Sequence, residues 1–168
     1  MALAQGKGTG EGSGGAPGAT RLFRGVTQVT LDAKGRLAIP SKHRDALAVD
    51  GEPVVLTADP SRCLLLYPRA AWEPIQQRLM SLSSFDERIR SLQRLIVGHA
   101  DDVDVDSAGR ILVPGALRQY ARLDKHVMFV GQGNKFELWD EAAWTQQTAQ
   151  AITFPADGLP PALDGFSL

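Results

Sequence analysis

One cysteine, Cys63, in 168 residues excludes an intrachain disulfide and fits a reducing compartment. Its place in the apolar run Cys63-Leu-Leu-Leu66 marks it as core filling. No stretch reaches the ~18 apolar residues of a membrane span, and no hydrophobic segment near the start makes a secretory leader. A soluble, cytoplasmic protein without a membrane partner is expected. Charge of one sign is missing too: 18 Lys and Arg stand against 19 Asp and Glu. No global field announces a polyanion, so any nucleic-acid surface must come from local clustering.

Catalytic chemistry is equally thin. His43, His99 and His126 are scattered, none with a partner at metal-ligand spacing, and there is neither a Cys-His nucleophile pair nor a Gly-x-Ser-x-Gly turn. Gly131-Gln-Gly133 lacks the third glycine of a dinucleotide site and reads as a hairpin loop. Asp101, Asp102, Asp104 and Asp106 alternate with Val103 and Val105 as on an edge strand, and no Glu closes a calcium loop. The expectation is a non-enzyme with no cofactor, no metal and no small-molecule substrate.

What the chain does have is one phrase written twice. Asp32-Ala-Lys-Gly-Arg-Leu-Ala-Ile-Pro40 returns 74 residues later as Asp106-Ser-Ala-Gly-Arg-Ile-Leu-Val-Pro114. Tyr67-Pro-Arg-Ala-Ala-Trp72 returns as Trp139-Asp-Glu-Ala-Ala-Trp144 at an offset of 72. Repetition on this scale signals duplicated supersecondary structure.

Each copy spells the same elements. Val26 to Leu31 is rich in β-branched residues and reads as a strand. In Asp32-Ala-Lys-Gly35 the Asp accepts backbone N–H groups and the Gly takes a positive φ, so the chain turns. Arg36 to Ile39 is the returning strand, and Pro40 opens a short helix to Leu47. Pro53–Thr57 and Cys63–Leu66 form a second strand pair. A helix from about Ala70 follows, with Trp72, Ile75, Leu79 and Leu82 on one face. A further helix aligns Phe85, Ile89, Leu92 and Ile96, turns Arg88, Arg90 and Arg94 away, and stops at Gly98. The cycle restarts at Val103, with a turn at Asp106–Gly109, a strand from Arg110 to Val113 and a short helix from Pro114 to Tyr120. Strands Val127–Val130 and Lys135–Trp139 and a helix from about Glu141 complete it. Neither half has strands enough for its own core, so the two are expected to interlock as a pseudo-symmetric β-barrel, mainly β with flanking helices. Those helices either cover the barrel or join subunits.

The live chemical candidate is the Asp-x-x-x-Arg turn. Alone it reads as structure: Asp caps the turn, Gly permits it, and Arg reaches back to Asp. The neighbourhood of the first copy adds charge. Between Arg21 and Arg44 lie Arg21, Arg24, Lys34, Arg36, Lys42 and Arg44 against a single acid, Asp32, with His43 as a switchable seventh cation. Such a face tracks phosphates, and Arg36 offers a planar fork for guanine O6 and N7, with Asp32 orienting it. In the second copy Ala108 replaces Lys34 and Ala116 replaces Lys42. There Arg110, Arg118, Arg122 and Lys125 face Asp101, Asp102, Asp104, Asp106 and Asp124. Electrostatics assigns DNA to the first copy and scaffolding to the second.

Phe23-Arg-Gly25, the two Asp-x-x-Gly-Arg phrases and Gly131-Gln-Gly-Asn-Lys-Phe-Glu-Leu-Trp139 together resemble the MraZ family of bacterial transcriptional regulators, over about Leu22 to Trp144. That family resembles the AbrB/SpoVT DNA binders. The resemblance implies two tandem SpoVT-AbrB halves in one double-psi-type barrel, and assembly of the homo-oligomer into a ring. It places the DNA-binding signature on Asp32 with Arg36 and, secondarily, on Asp106 with Arg110. It further implies nucleoid association and repression of the chain's own division and cell-wall gene cluster through short G-rich direct repeats in double-stranded DNA. The chain then divides into a disordered Gly-rich extension (1–20), a first repeat (21–69), a helical insert (70–100), a second repeat (101–144) and a helix end with a loose tail (145–168). The competing expectation is an AbrB-like antitoxin or protein-interaction module.

Overall fold

The structure, a computed structural model, describes residues 22–151 and 161–163. The Gly-rich extension, Arg21 and most of the tail after Thr153 lie outside the described residues; within that tail Pro161–Leu163 forms a 3-10 turn. The first half runs β1 (Phe23–Thr30), β2 (Arg36–Ala38), a 3-10 turn and α1 (Arg44–Leu47), β3 (Val54–Ala58), β4 (Leu64–Tyr67) and α2 (Arg69–Ser81). After α3 (Glu87–Ile96) the second half repeats the series as β5 (Asp101–Val103), β6 (Arg110–Leu112), α4 (Gly115–Tyr120), β7 (His126–Gly133), β8 (Phe136–Asp140) and α5 (Glu141–Ala151). Among the described residues no helix is long and apolar enough to cross a membrane.

Pairing interlocks the halves. One antiparallel sheet has the order β1-β7-β8-β4-β3-β5, and β2 pairs with β6 in a separate ladder. If each strand is exchanged for its counterpart in the other half, that order reads the same backwards. β1 needs β7 and β5 needs β3, while β2–β6 and β4–β8 are each their own image. Among the described residues, pairing beyond these two ladders is a single bridge, Leu31 to Leu37.

β3 and β4 are buried along their whole length because they separate two apolar layers. Side chains alternate across a strand. Val54, Leu56, Leu64 and Leu66 therefore enter the main core with Leu37, Ile39, Ile111, Val113, Phe129 and Phe136. Val55, Leu65 and Tyr67 enter a second layer with Cys63, Trp72, Val130 and Trp139, against which Ala71 and Ile75 of α2 and Ala143 and Trp144 of α5 pack. Burial pushes the Tyr67 hydroxyl up to about 12 and raises the Cys63 thiol as well; Cys63 is fully buried and fills the core.

Several elements differ from the sequence reading. Only Gly133 of Gly131-Gln-Gly133 belongs to the hairpin turn; Gly131 and Gln132 are strand residues of β7, because β1 extends to Phe23 and pairs along them as far as Gly133. A Cβ on Gly131 would collide with the Arg24 backbone, so glycine permits that pairing. Reversal occurs at Gly133 and Asn134, with Gly133 at φ 75°, and is closed by Gln132 N–H donating to the Lys135 carbonyl at 2.9 Å. Phe85 is not on the α3 stripe: the Asp86 carboxylate caps the helix by accepting from Arg88 N–H at 2.8 Å, which leaves Phe85 upstream and 95% exposed. Leu82, in extended backbone, ends α2 and is exposed. Arg90 is not turned away, since its Nε is buried. The segment after Pro40 is a 3-10 turn, Ser41–His43, continued by the single helical turn of α1.

Candidate functional site

Both Asp-x-x-x-Arg turns are built by one set of hydrogen bonds. Gly35 N–H donates to the Asp32 carbonyl at 3.0 Å, and Asp32 N–H donates to the Arg36 carbonyl at 2.8 Å. Asp32 Oδ1 accepts from Lys34 N–H and Arg36 N–H, both at 2.9 Å, and Oδ2 accepts from Arg36 Nε at 2.8 Å. At the second turn Asp106 Oδ1 accepts from Ala108 N–H at 3.0 Å and Arg110 N–H at 2.8 Å, and Oδ2 from Arg110 Nε at 2.9 Å. Each carboxyl is held below its ordinary value, chiefly by the backbone N–H of its arginine and then by the guanidinium. Each arginine is thereby tied at Nε. Among the described residues nothing occupies its Nη atoms, the pair that faces outward in a forked contact.

Pairing of β2 with β6 then sets the two turns side by side. Arg36 lies opposite Leu112, Leu37 opposite Ile111, and Ala38 opposite Arg110. Leu37 and Ile111 point into the core, so Arg36, Ala38, Arg110 and Leu112 share the outer face. The two arginines stand on a diagonal of this antiparallel pair, roughly 7–8 Å apart at Cα. Ile39 N–H donates to the Gly109 carbonyl at 2.9 Å and Val113 N–H to the Gly35 carbonyl at 2.8 Å, which ties each returning strand to the other turn. The result is a short two-stranded ribbon presenting two oriented arginines.

The other cations fall in separate places. Lys34 stands exposed at the tip of the first turn, where the second turn has exposed Ala108. Arg24 and Lys42 line one groove with Leu22, Phe23, His43, Ala46 and Gly133. His43 packs against the rings of Phe23, at 5.9 Å, and Phe136, at 4.8 Å, which themselves meet at 4.4 Å. Arg44 is half-buried, its Nε donating to the Ile39 carbonyl at 2.9 Å while its side chain lies over Gly109. His99 spends Nδ1 on the Leu95 carbonyl at 3.0 Å, and His126 stands exposed at the start of β7.

Comparison with known proteins decides the lineage. The model of the family described as "MraZ protein, putative antitoxin-like" matches this chain twice, over residues 22–95 and 96–158. The chain belongs to the MraZ family. Proteins named Transcriptional regulator MraZ are similar to it along their whole length: 56% identical over 148 residues in Thiobacillus denitrificans and 57% over 148 residues in Nitrosomonas europaea. In Legionella pneumophila the identity is 48% over 152 residues. In each case 88% of this chain and 100% of the relative are covered.

Within this MraZ-family chain the sequence reading located both turns but kept them apart, one for each task. It had no means of seeing that β2 and β6 are mutual partners. A signal for one missed residue was nevertheless present. Arg118 follows Arg110 at the same distance as Arg44 follows Arg36, and the two arginines occupy matching places across the turns.

Proposed function

We propose that this chain is a sequence-specific, non-enzymatic DNA-binding regulator of transcription, and that it represses its own division and cell-wall gene cluster. The observation that carries this reading is the β2–β6 ribbon, with Arg36 and Arg110 on one exposed face and each Nε spent on a carboxylate. A two-stranded ribbon fits the major groove, and a guanidinium fixed at Nε offers its fork to guanine O6 and N7. Lys34 at the tip, and Arg24 and Lys42 in their separate groove, supply phosphate contacts. Arg44 acts from behind the ribbon, Asp32 orients Arg36, and Asp106 with Arg110 forms the weaker, secondary contact. The name shared by the relatives supports transcription as the process.

One ribbon per subunit is a small footprint, since a good bidentate pair discriminates by about 1–3 kcal/mol. A ring of subunits meeting short direct repeats turns later contacts into intramolecular events and raises avidity by ~100-fold. The reading therefore includes ring assembly, closure of the two ladders into a double-psi-type barrel, and residence on the nucleoid in the cytoplasm. A second reading, an antitoxin-like module for a protein partner, draws on exposed Met80, Leu82 and Phe85 where α2 meets α3.

Fluorescence anisotropy with DNA from upstream of the chain's own gene, against a scrambled duplex over a salt series, separates the two. Selective binding is expected, with selectivity falling about tenfold or more in Arg36→Ala and less in Arg110→Ala. Weak binding of both duplexes, unchanged in both variants, would overturn the DNA reading and favour the protein partner.

A further inference from the structure

Arg118 belongs to α4, in the half whose surroundings are acidic, yet its guanidinium is packed on the turn of the other half. A Cβ built on Gly35 would stand 2.7 Å from Arg118 Cζ and 2.8 Å from Nη1. The matching position does the same in the opposite direction. A Cβ on Gly109 would stand 2.6 Å from Arg44 Cδ and closer still to its Nε and Cζ. Two arginines at matching places in the repeat thus cross over, each lying flat on the glycine of the turn it does not belong to.

These glycines are demanded twice. Gly35 and Gly109 have φ of 81° and 74°, in the left-handed region, and neither has room for a side chain beneath its arginine. A planar guanidinium over bare backbone is a contact that neither lysine nor an alanine-bearing turn reproduces. The two closures differ in one respect. Arg44 Nε donates to the Ile39 carbonyl, whereas Arg118 Nε is buried and, among the described residues, has no hydrogen-bond partner. Arg118 Nε is therefore held by packing over Gly35, with Nη2 beside Gly115 of its own helix.

We propose that Arg44 and Arg118 form a reciprocal clamp: each is a positioning residue that fixes the turn of the opposite repeat. In this way Arg118, from the acidic half, sets how Arg36 is aimed. The use of this aim rests on the ribbon being the DNA-reading face, but the clamp can be tested without DNA. Base-reading side chains must be held to within roughly 0.5 Å by the groups packed around them.

The experiment uses the full chain with Arg118→Lys and Arg44→Lys, which keep charge and stem and lose the flat face. Arg118→Ala is the harsher variant. Amide hydrogen exchange is read at the two turns. Arg118→Lys is expected to speed exchange about tenfold at Lys34, Gly35 and Arg36 and to leave Ala108, Gly109 and Arg110 unchanged; Arg44→Lys gives the converse. Loosening of each variant's own turn, of both turns equally, or of neither overturns the clamp. In DNA binding, Arg118→Lys and Arg118→Ala are expected to lower selectivity for promoter over scrambled duplex about tenfold with an unchanged salt slope. A slope reduced by about one marks Arg118 as a direct phosphate ligand and overturns its positioning role. Failure of the unsubstituted protein to discriminate the duplexes removes the DNA reading, while the crossed exchange pattern still decides the clamp.

Discussion

Matching contacts in the turns Asp32–Arg36 and Asp106–Arg110 differ by no more than 0.1 Å. Their surroundings diverge. The first has Lys34 at its tip and one acid among the neighbouring cations, whereas the second has Ala108 there and follows Asp101, Asp102 and Asp104. Duplication preserved the device that aims an arginine and let the field around it change. Geometry and electrostatics are thus separable here: the two turns share a shape and differ in charge. The β2–β6 pairing sets both turns on one ribbon and bonds each returning strand to the other turn.

Breaking the shared geometry gives the largest expected effect. Gly35→Ala adds both a left-handed backbone penalty and a clash with the Arg118 guanidinium. It should displace Arg118 and destabilise the fold by about 2 kcal/mol in urea unfolding. Gly51→Ala is the control, for its φ of 76° is similar and nothing lies within 4 Å of the added Cβ; about 1 kcal/mol is expected. Equal losses at the two sites would show that packing over Gly35 contributes nothing.

Removing the orienting carboxylate comes next. Asp32→Ala deletes a negative charge from a basic face, so simple attraction predicts tighter DNA binding. The geometry predicts the opposite: loss of three hydrogen bonds unties Arg36 and weakens binding about tenfold, with a smaller loss in Asp106→Ala. Tighter binding by Asp32→Ala, measured by anisotropy, would reduce the turn to a charge carrier.

Exchanging the tip residues has the smallest effect and tests the electrical half of the comparison. Lys34→Ala should lower affinity a few-fold for promoter and scrambled DNA alike and reduce the salt slope by about one. Ala108→Lys should restore that slope in the Lys34→Ala background. If the added lysine leaves the slope unmoved, the second turn stands clear of the phosphates.

Local chemistry made much of this legible in advance. The Asp-x-x-Gly-Arg phrases are short-range turns whose bonds are made within five residues, so sequence alone placed Asp32, Arg36, Asp106 and Arg110 correctly in space relative to one another within each turn. Partner choice was not legible. β2 is three residues long, and nothing in Arg36-Leu-Ala38 names Arg110-Ile-Leu112 as its mate. In Gly131-Gln-Gly133 the loop reading holds at Gly133, which turns the hairpin, and fails at Gly131, because a glycine needed for close approach of a neighbouring strand looks, in sequence, like one needed for a turn. The α3 stripe failed at Phe85 for a similar reason: period 3.6 extrapolates through an N-cap, and Asp86 had already ended the helix.

The palindromic strand order has a consequence for how the chain is made. β1 has no neighbour in its own half along the edge that β7 will occupy, and Phe23 meets its mate only at Gly133. On a ribosome the first half must therefore wait, complete in sequence but incomplete in pairing, until nearly all of the second has emerged. The duplicated phrases do not give two small units that fold in turn; they give one slow closure, late in synthesis, with an eight-residue strand edge open until then.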